Sequence, residues 1–140
     1  MERRLETLYE RLQDGGYRLT EARQAILQAL VESAGHISAD ELVGLLERRS
    51  ISVGRMTVYR TLEVLSVLGI VRATYLGSGA AHYILIDDGH HHHLICSNCE
   101  TVIEFEQCMV AEIDRIVGEH FDFEISGHLL EVFGRCSQCR

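Results

Sequence analysis

The sequence predicts an α+β chain of two unlike units: a helical first half closed by a pair of strands, then a small α/β unit that depends on metal. Three observations lead there. Apolar residues recur at helical spacing over the first seventy positions and then give way to strand-like runs. Two Cys-x-x-C pairs stand in the second half, and the charge divides at the same place. Residues 1–76 hold ten arginines and ten acids, whereas residues 77–140 hold three arginines and eleven acids, so the second half carries the whole formal charge of −8. All five cysteines and seven of the eight histidines also lie beyond residue 76, and none of the 13 basic residues is lysine. An acidic, Cys- and His-rich segment attracts cations, while a balanced, arginine-dotted one still meets phosphate locally.

Composition narrows the function classes. With 46% hydrophobic and 24% charged residues, the 140-residue chain is expected to fold rather than stay disordered. Its apolar runs are too short for a bilayer, and Met1-Glu2-Arg3-Arg4-Leu5-Glu6 has no apolar signal core. The expectation is a cytoplasmic protein with no membrane partner, in which reduced cysteines bind metal before they form disulfides.

In the first half, Leu5, Leu8, Tyr9 and Leu12 form one stripe over residues 2–13, and Asp14-Gly15-Gly16 ends the helix. Thr20 is placed to cap a second helix running to about Ser33, with Ala22, Ile26, Ala29 and Leu30 inward. Ser38-Ala39-Asp40-Glu41 fits a capping box opening a third, with Leu42, Leu45 and Leu46 inward. Ser52 is placed to cap a fourth, with Val58, Leu62 and Leu65 on its core side and Gly69 as its stop. Ile70–Leu76 and His82–Ile86 read as strands joined by Gly77-Ser78-Gly79-Ala80-Ala81. This order of helices and paired strands describes a winged helix-turn-helix over residues 1–86, which makes that segment a DNA-binding domain.

Asp87-Asp88-Gly89 reads as a hinge. Beyond it His91–Cys96 and Val102–Glu106 read as strands, Cys108–Glu119 as a helix and Leu129–Phe133 as a strand. Some fifty residues of β-β-α-β bury little surface alone and need metal, a partner subunit, or both. Residues 87–140 are therefore expected to be a metal-binding dimerisation domain.

Cys96-Ser97-Asn98-Cys99 and Cys136-Ser137-Gln138-Cys139 are separated by 36 residues. Each tight turn presents two sulfurs, and two such turns enclose a tetrahedral zinc. A redox dithiol is the alternative, but it takes a single pair after a strand in a βαβ unit. Cys108 is left over and reads as a small buried residue. In His90-His91-His92-His93 strand alternation sends His90 and His92 to one face and His91 and His93 to the other, so one run can serve two ions, or lie as a solvated loop. His36, His82, Glu104, Glu112 and His128 are further candidate ligands, each equally readable as a surface or core residue. On the fourth helix Arg55, Tyr59 and Arg60 lie off the face of Val58, Leu62 and Leu65, a pattern that suits phosphates and base edges as well as an ordinary solvated surface.

Taken in order, Gly16-Tyr17-Arg18-Leu19-Thr20 with Arg23, Thr57-Val58-Tyr59-Arg60-Thr61-Leu62, His90 to Cys96 with Cys99, Ile103-Glu104-Phe105, His128 and the last cysteine pair resemble the ferric uptake regulator family over about residues 14–139. The resemblance implies a metal-sensing repressor that binds a palindromic, AT-rich operator in double-stranded DNA as a homodimer. It makes Arg18 a minor-groove contact, Tyr59 and Arg60 recognition-helix contacts, and Cys96, Cys99, Cys136 and Cys139 the structural zinc ligands. The sensory site joining the domains takes His36, His91, His93 and Glu104. Where the family often has an acid before the hinge this chain has Ile84, which binds no metal; His82, two residues earlier on the same strand face, is the expected substitute. A third site implied by the family takes His90, His92 (where the family often has aspartate), His128 and a helix glutamate. Ala111 stands at that helix position, leaving Cys108, one turn earlier, or Glu112 beside it.

Imidazoles at His82 and His92 in place of oxygen donors favour zinc, nickel or copper over manganese and iron(II). The expected regulatory ion is therefore a second zinc, with iron(II) as the alternative and nickel, manganese or peroxide sensing behind it; the family's peroxide sensors carry aspartate where Glu104 stands. An enzyme is not expected. A four-cysteine site leaves no open coordination position, and neither H-E-x-x-H nor a deaminase H-x-E signature occurs, so no small organic substrate is expected either. A metal buffer or redox switch without DNA would leave the winged helix without a role.

Overall fold

A computed structural model describes residues 1–33, 36–75, 80–86, 92–125, 128 and 130–140. The chain divides into two compact units, Met1–Ile86 and Asp87–Arg140.

The first unit runs α1 (Glu2–Asp14), α2 (Glu21–Glu32), β1 (His36–Ser38), α3 (Ala39–Arg48), α4 (Arg55–Val67), β2 (Val71–Tyr75) and β3 (Ala81–Leu85). Local chemistry sets most of the boundaries. Gly16 at φ +87° lets Tyr17 N–H return to Leu12 O and ends α1. The Thr20 hydroxyl accepts from Arg23 N–H to open α2. Ser38 and Glu41 close both halves of the expected capping box on α3. Gly69, at φ +68°, follows α4 and lets Ile70 N–H reach Leu65 O. Leu8, Leu12, Ile26, Leu27, Leu30, Leu42, Leu46, Val58, Leu62 and Leu65 meet in one core between these helices. The antiparallel sheet has the order β1-β3-β2.

Several expectations shift. α4 starts at Arg55 behind Gly54, not at Ser52, because Ile51 and Val53 both pack on the core and hold that segment extended. Ala22 is only half-buried, while Leu27 and Val31 are buried in its place. The strand β1 was not expected, since three residues carry no legible alternation. Of the expected hairpin connection, residues 77–79 lie outside the described residues.

The second unit runs β4 (His92–Cys96), β5 (Val102–Phe105), α5 (Ala111–Phe121) and β6 (Glu131–Gly134). Its sheet has the order β5-β4-β6, antiparallel between β4 and β5 and parallel between β4 and β6. The helix begins at Ala111, so Cys108 precedes it instead of opening it. It ends late because Asp122 adopts a left-handed cap (φ 49°) from which Phe123 N–H reaches Gly118 O. Of the expected strand ends, His91 and Leu129 lie outside the described residues. No described helix is long and apolar enough to cross a membrane.

Candidate metal centres and nucleic-acid interface

Parallel pairing of β4 with β6 builds the cysteine site. Cys96 ends β4 opposite Gly134, so the turns that follow both strands emerge side by side at one end of the sheet. Ser97 N–H bonds Gly134 O at 2.8 Å, and Glu100, at φ 62°, closes the first turn by donating to Cys96 O. The ligand atoms of Cys96, Cys99, Cys136 and Cys139 all lie within 4.8 Å of one another, with Cys99 Sγ and Cys136 Sγ 3.7 Å apart. Zinc–sulfur bonds of about 2.3 Å in a tetrahedron put sulfurs about 3.8 Å apart, so the four donors fit that ion.

The sulfurs are not equivalent. Backbone N–H groups of Cys99, Cys136 and Asn98 converge on Cys96 and lower its pKa to about 6. The Thr101 hydroxyl, 3.1 Å away, lowers that of Cys99. Cys139 keeps a hydrogen bond from Asn98 that lowers its pKa, but the adjoining Cys136 and Cys99 sulfurs outweigh it and push it up to about 11.

Two histidines meet on the sheet of the first unit. His36 lies opposite Ile84 and His82 opposite Ser38, a diagonal placement on one face. Their Nε2 and Nδ1 atoms are 3.1 Å apart, and the rings stack at 4.9 Å. Glu41, whose carboxylate accepts from Ser38 N–H at 2.9 Å, is held below its ordinary pKa first by that bond and also by the charge of His82 and His36. Sequence reasoning took Glu41 for a helix cap alone; its position three residues after Ser38 gave no sign of the histidines.

Within the second unit His93 is paired directly with Glu104 across β4 and β5, with His93 Nε2 3.7 Å from Glu104 Oε1. His92, next along β4, faces the other way and meets the rings of Phe105 and His128 at 5.3 Å and 5.2 Å. Cys108 Sγ is 3.3 Å from His128 Nε2, and Asp114 accepts a hydrogen bond at the opposite nitrogen, Nδ1. Glu112 does not join this group: it is exposed and bonded to Arg115 at 2.6 Å. Asp114 has no sequence signal of its own, because nothing in its spacing from Cys108 or His128 marks it. His90 and His91 lie outside the described residues.

Among the candidate nucleic-acid contacts, Arg18, Tyr59 and Arg60 are exposed, the latter two on α4. The backbone carbonyl of Arg18 accepts from Arg23 Nη1 at 2.6 Å, and the Arg23 guanidinium lies over the Tyr17 ring at 5.6 Å. Arg55, at the start of α4, is ion-paired with Asp40 of α3.

A winged helix followed by a small zinc-suited α/β unit defines a class: metal-binding, DNA-binding transcription regulators. The ferric uptake regulator family model matches residues 14–133, and the chain belongs to that family of metal-responsive repressors. It is 34% identical over 143 residues to the ferric uptake regulation protein of Bacillus subtilis strain 168, covering 99% of this chain and 96% of that one. It is 31% identical over 140 residues to the peroxide-responsive repressor PerR of Staphylococcus aureus strain USA300, covering 100% and 94%. The crystal structure of the Vibrio cholerae ferric uptake regulator superposes with a TM-score of 0.73 at 31% identity, covering 91% of this chain and 98% of that chain. Regulators of this family bind DNA and act as dimers.

Proposed function

We propose that this chain is a zinc-responsive, homodimeric repressor of metal-homeostasis genes that binds a palindromic, AT-rich operator in the cytoplasm and performs no catalysis. The observation that carries the zinc reading is the His36–His82 pair, 3.1 Å apart. With Ile84 unable to ligate, His82 supplies an imidazole in place of an acid, and nitrogen-rich sites suit zinc better than iron(II) or manganese. The regulatory ligands are His36, His82, His91, His93 and Glu104, and the structural zinc belongs to the four cysteines. The iron(II)-responsive reading is the second, favoured by the oxygen donor Glu104 and by the activity named for the Bacillus subtilis relative.

A regulatory zinc, on this reading, would take donors from both units and anchor them. His36 and His82 then hold the sheet of the winged helix, while His93 and Glu104 hold the sheet of the dimerisation unit. Joining them limits how the two recognition helices of a dimer are spaced, which matches them to half-sites along one face of DNA. Tyr59 and Arg60 read the major groove and Arg18 the minor groove. The shift towards the binding form is as large as the ion's preference for that form and no larger.

The homodimer reading draws on the apolar surface of the second unit. Leu94, Ile103 and Val132 stand side by side across β5, β4 and β6 and remain exposed, next to a depression of about 160 Å³. Ile113, Ile116 and Val117 are exposed on α5. Contiguous apolar surface of this kind marks an interface.

The test is operator binding by fluorescence anisotropy, titrated anaerobically with buffered zinc and, separately, iron(II). Binding at lower free zinc than free iron(II) is the expected result. Binding driven first by iron(II) replaces the zinc reading with the iron one.

A further inference from the structure

We propose that Met56 is a base-reading residue: its thioether side chain lies against the C5-methyl groups of thymine in the major groove and sets a preference for thymine at those positions. The inference rests on the reading of α4 as the helix that enters DNA, and deepens it by naming what its first turn reads. It uses no metal ligand and stands whichever ion drives operator binding.

The two faces of α4 differ in chemistry. Val58, Leu62 and Leu65 point inward and are fully buried. Met56, Tyr59, Arg60, Glu63 and Val67 recur three and four residues apart, so they share the opposite face. Met56 is 64% exposed there and Tyr59, one turn on, 41%. A single exposed apolar residue needs no explanation, but Met56 is not single: it adjoins an aromatic ring, and Arg55 and Arg60 flank the two. Glu63, one turn further along the same face, is exposed and would repel phosphate. The face suited to DNA is therefore the first half of the helix, where Met56 stands.

The first turn is also arranged to meet a polyanion. α1, α2, α3 and α5 each carry an acid in the first turn, where it complements the helix dipole, whereas α4 carries none and opens on Arg55. In a helix-turn-helix the N-terminal residues of the second helix are the ones that meet base edges. Arg55, Met56 and Thr57 are all exposed in that turn. Arg55 and Thr57 offer hydrogen-bond donors, and Met56 alone is apolar. Among the edges of the major groove the thymine methyl is the one apolar mark, and an unbranched, polarisable thioether adapts to its shape. Against guanine the same side chain would cover O6 and N7 without giving them a donor, which costs affinity. The preference for thymine therefore has both an attractive and a repulsive side.

The experiment uses the full-length protein, saturated in parallel with zinc or iron(II), and duplexes it selects from a randomised pool. Replacing thymine by uracil at one position in each half-site removes two methyls and changes no base-edge hydrogen bond. Affinity should fall about fourfold per methyl, the size of one buried CH2 group, and about fifteenfold for the two, at one or two positions per half-site and nowhere else. Met56→Ala should bind the thymine and uracil duplexes alike at those positions, and Met56→Leu should keep most of the preference. Met56 is exposed and alanine forms helix at least as well, so the thermal transition of the variant should match that of the parent. Parent affinity indifferent to uracil overturns the proposal. So does a thymine preference undiminished in Met56→Ala, which assigns the methyls to Tyr59, and so does an equal loss on both duplexes, which makes Met56 a contact without sequence preference. A pool that yields no duplex overturns the DNA-binding reading of α4 and this proposal together.

Discussion

Nδ1 of His82 lies 3.1 Å from Nε2 of His36, with the rings stacked across two antiparallel strands. The pair is set by register: Ser38 opposite His82 and Ile84 opposite His36 put the imidazoles on one diagonal. A one-residue slip would send one of them to the other face. Only the short strand β1, which opens on His36 and closes on the cap of α3, makes this possible.

His82→Ala should therefore raise the free zinc needed for operator binding by about tenfold or more, with the structural zinc content unchanged. His82→Glu restores an oxygen donor and should move the preference towards iron(II) and manganese. Both are read as anisotropy against buffered metal. An unaltered zinc response in His82→Ala removes His82 from the ligand set.

How much of this was legible in the sequence follows from the range of each interaction. The caps at Thr20 and Ser38, the glycine stops and most of the apolar stripes are local, and apart from Ala22 on α2 they fall where the residues predict. The start of α4 was misplaced because Ser52 has a capping side chain, yet Ile51 and Val53 are held by a core that spacing alone does not reveal. The cysteine pairs were legible because Cys-x-x-C is a local motif repeated once. Asp114 behind His128, and Glu41 near His36 and His82, are tertiary relationships with no local signature. Cys108 read as a buried apolar residue for the same reason, since its partner His128 is 20 residues away.

Chelating the zinc proposed for the four cysteines should unfold the second unit and spare the first. Among the described residues only His92, His93, Ile95 and Cys96 are buried in the second unit, against a continuous leucine-rich core in the first. A structural zinc contributes about 10–16 kcal/mol, far above what four buried residues supply. Cys99→Ser or chelation should thus lower far-UV dichroism in part and leave one cooperative thermal transition. Full loss of both units together would show that the first depends on the second.

Zinc uptake by the reduced, metal-free protein should release fewer than four protons near pH 7. Four ordinary thiols, with pKa about 8.5, would release nearly four. Cys96, lowered to about 6, is mostly thiolate above that pH and has little to give, whereas Cys139, pushed up to about 11, yields a full proton. The sign follows: affinity rises with pH as the remaining thiols ionise, and steepens below pH 6, where Cys96 must also be deprotonated. Calorimetry in buffers of different ionisation enthalpy counts the protons, and a value of four contradicts the Cys96 assignment.

Ile116→Glu should convert the dimer to monomer. Ile116 is 51% exposed on a helix with no buried residue of its own, so a carboxylate there costs the isolated unit little. Buried in a dimer interface, the same charge costs several kcal/mol. Light scattering at fixed zinc reads the outcome, and an intact dimer moves the interface off α5.

Asp40→Asn should strengthen operator binding. Asp40 pairs with Arg55 at the surface, with the side chains 74% and 58% exposed, so breaking the pair costs little stability. The same change frees a guanidinium at the start of α4, the proposed recognition helix, and removes an acid that would repel phosphate. A gain of about two- to fivefold at low salt follows from an interaction of that size. Arg55→Ala should do the reverse and lower the salt slope of binding by about one, the signature of a single lost phosphate contact. In the double variant, Asp40→Asn should add little to Arg55→Ala beyond the removed acid, because Asp40 acts mainly through Arg55. If Arg55→Ala leaves both affinity and salt slope unchanged, Arg55 serves only the α3–α4 pairing, and recognition falls to Tyr59, Arg60 and Arg18.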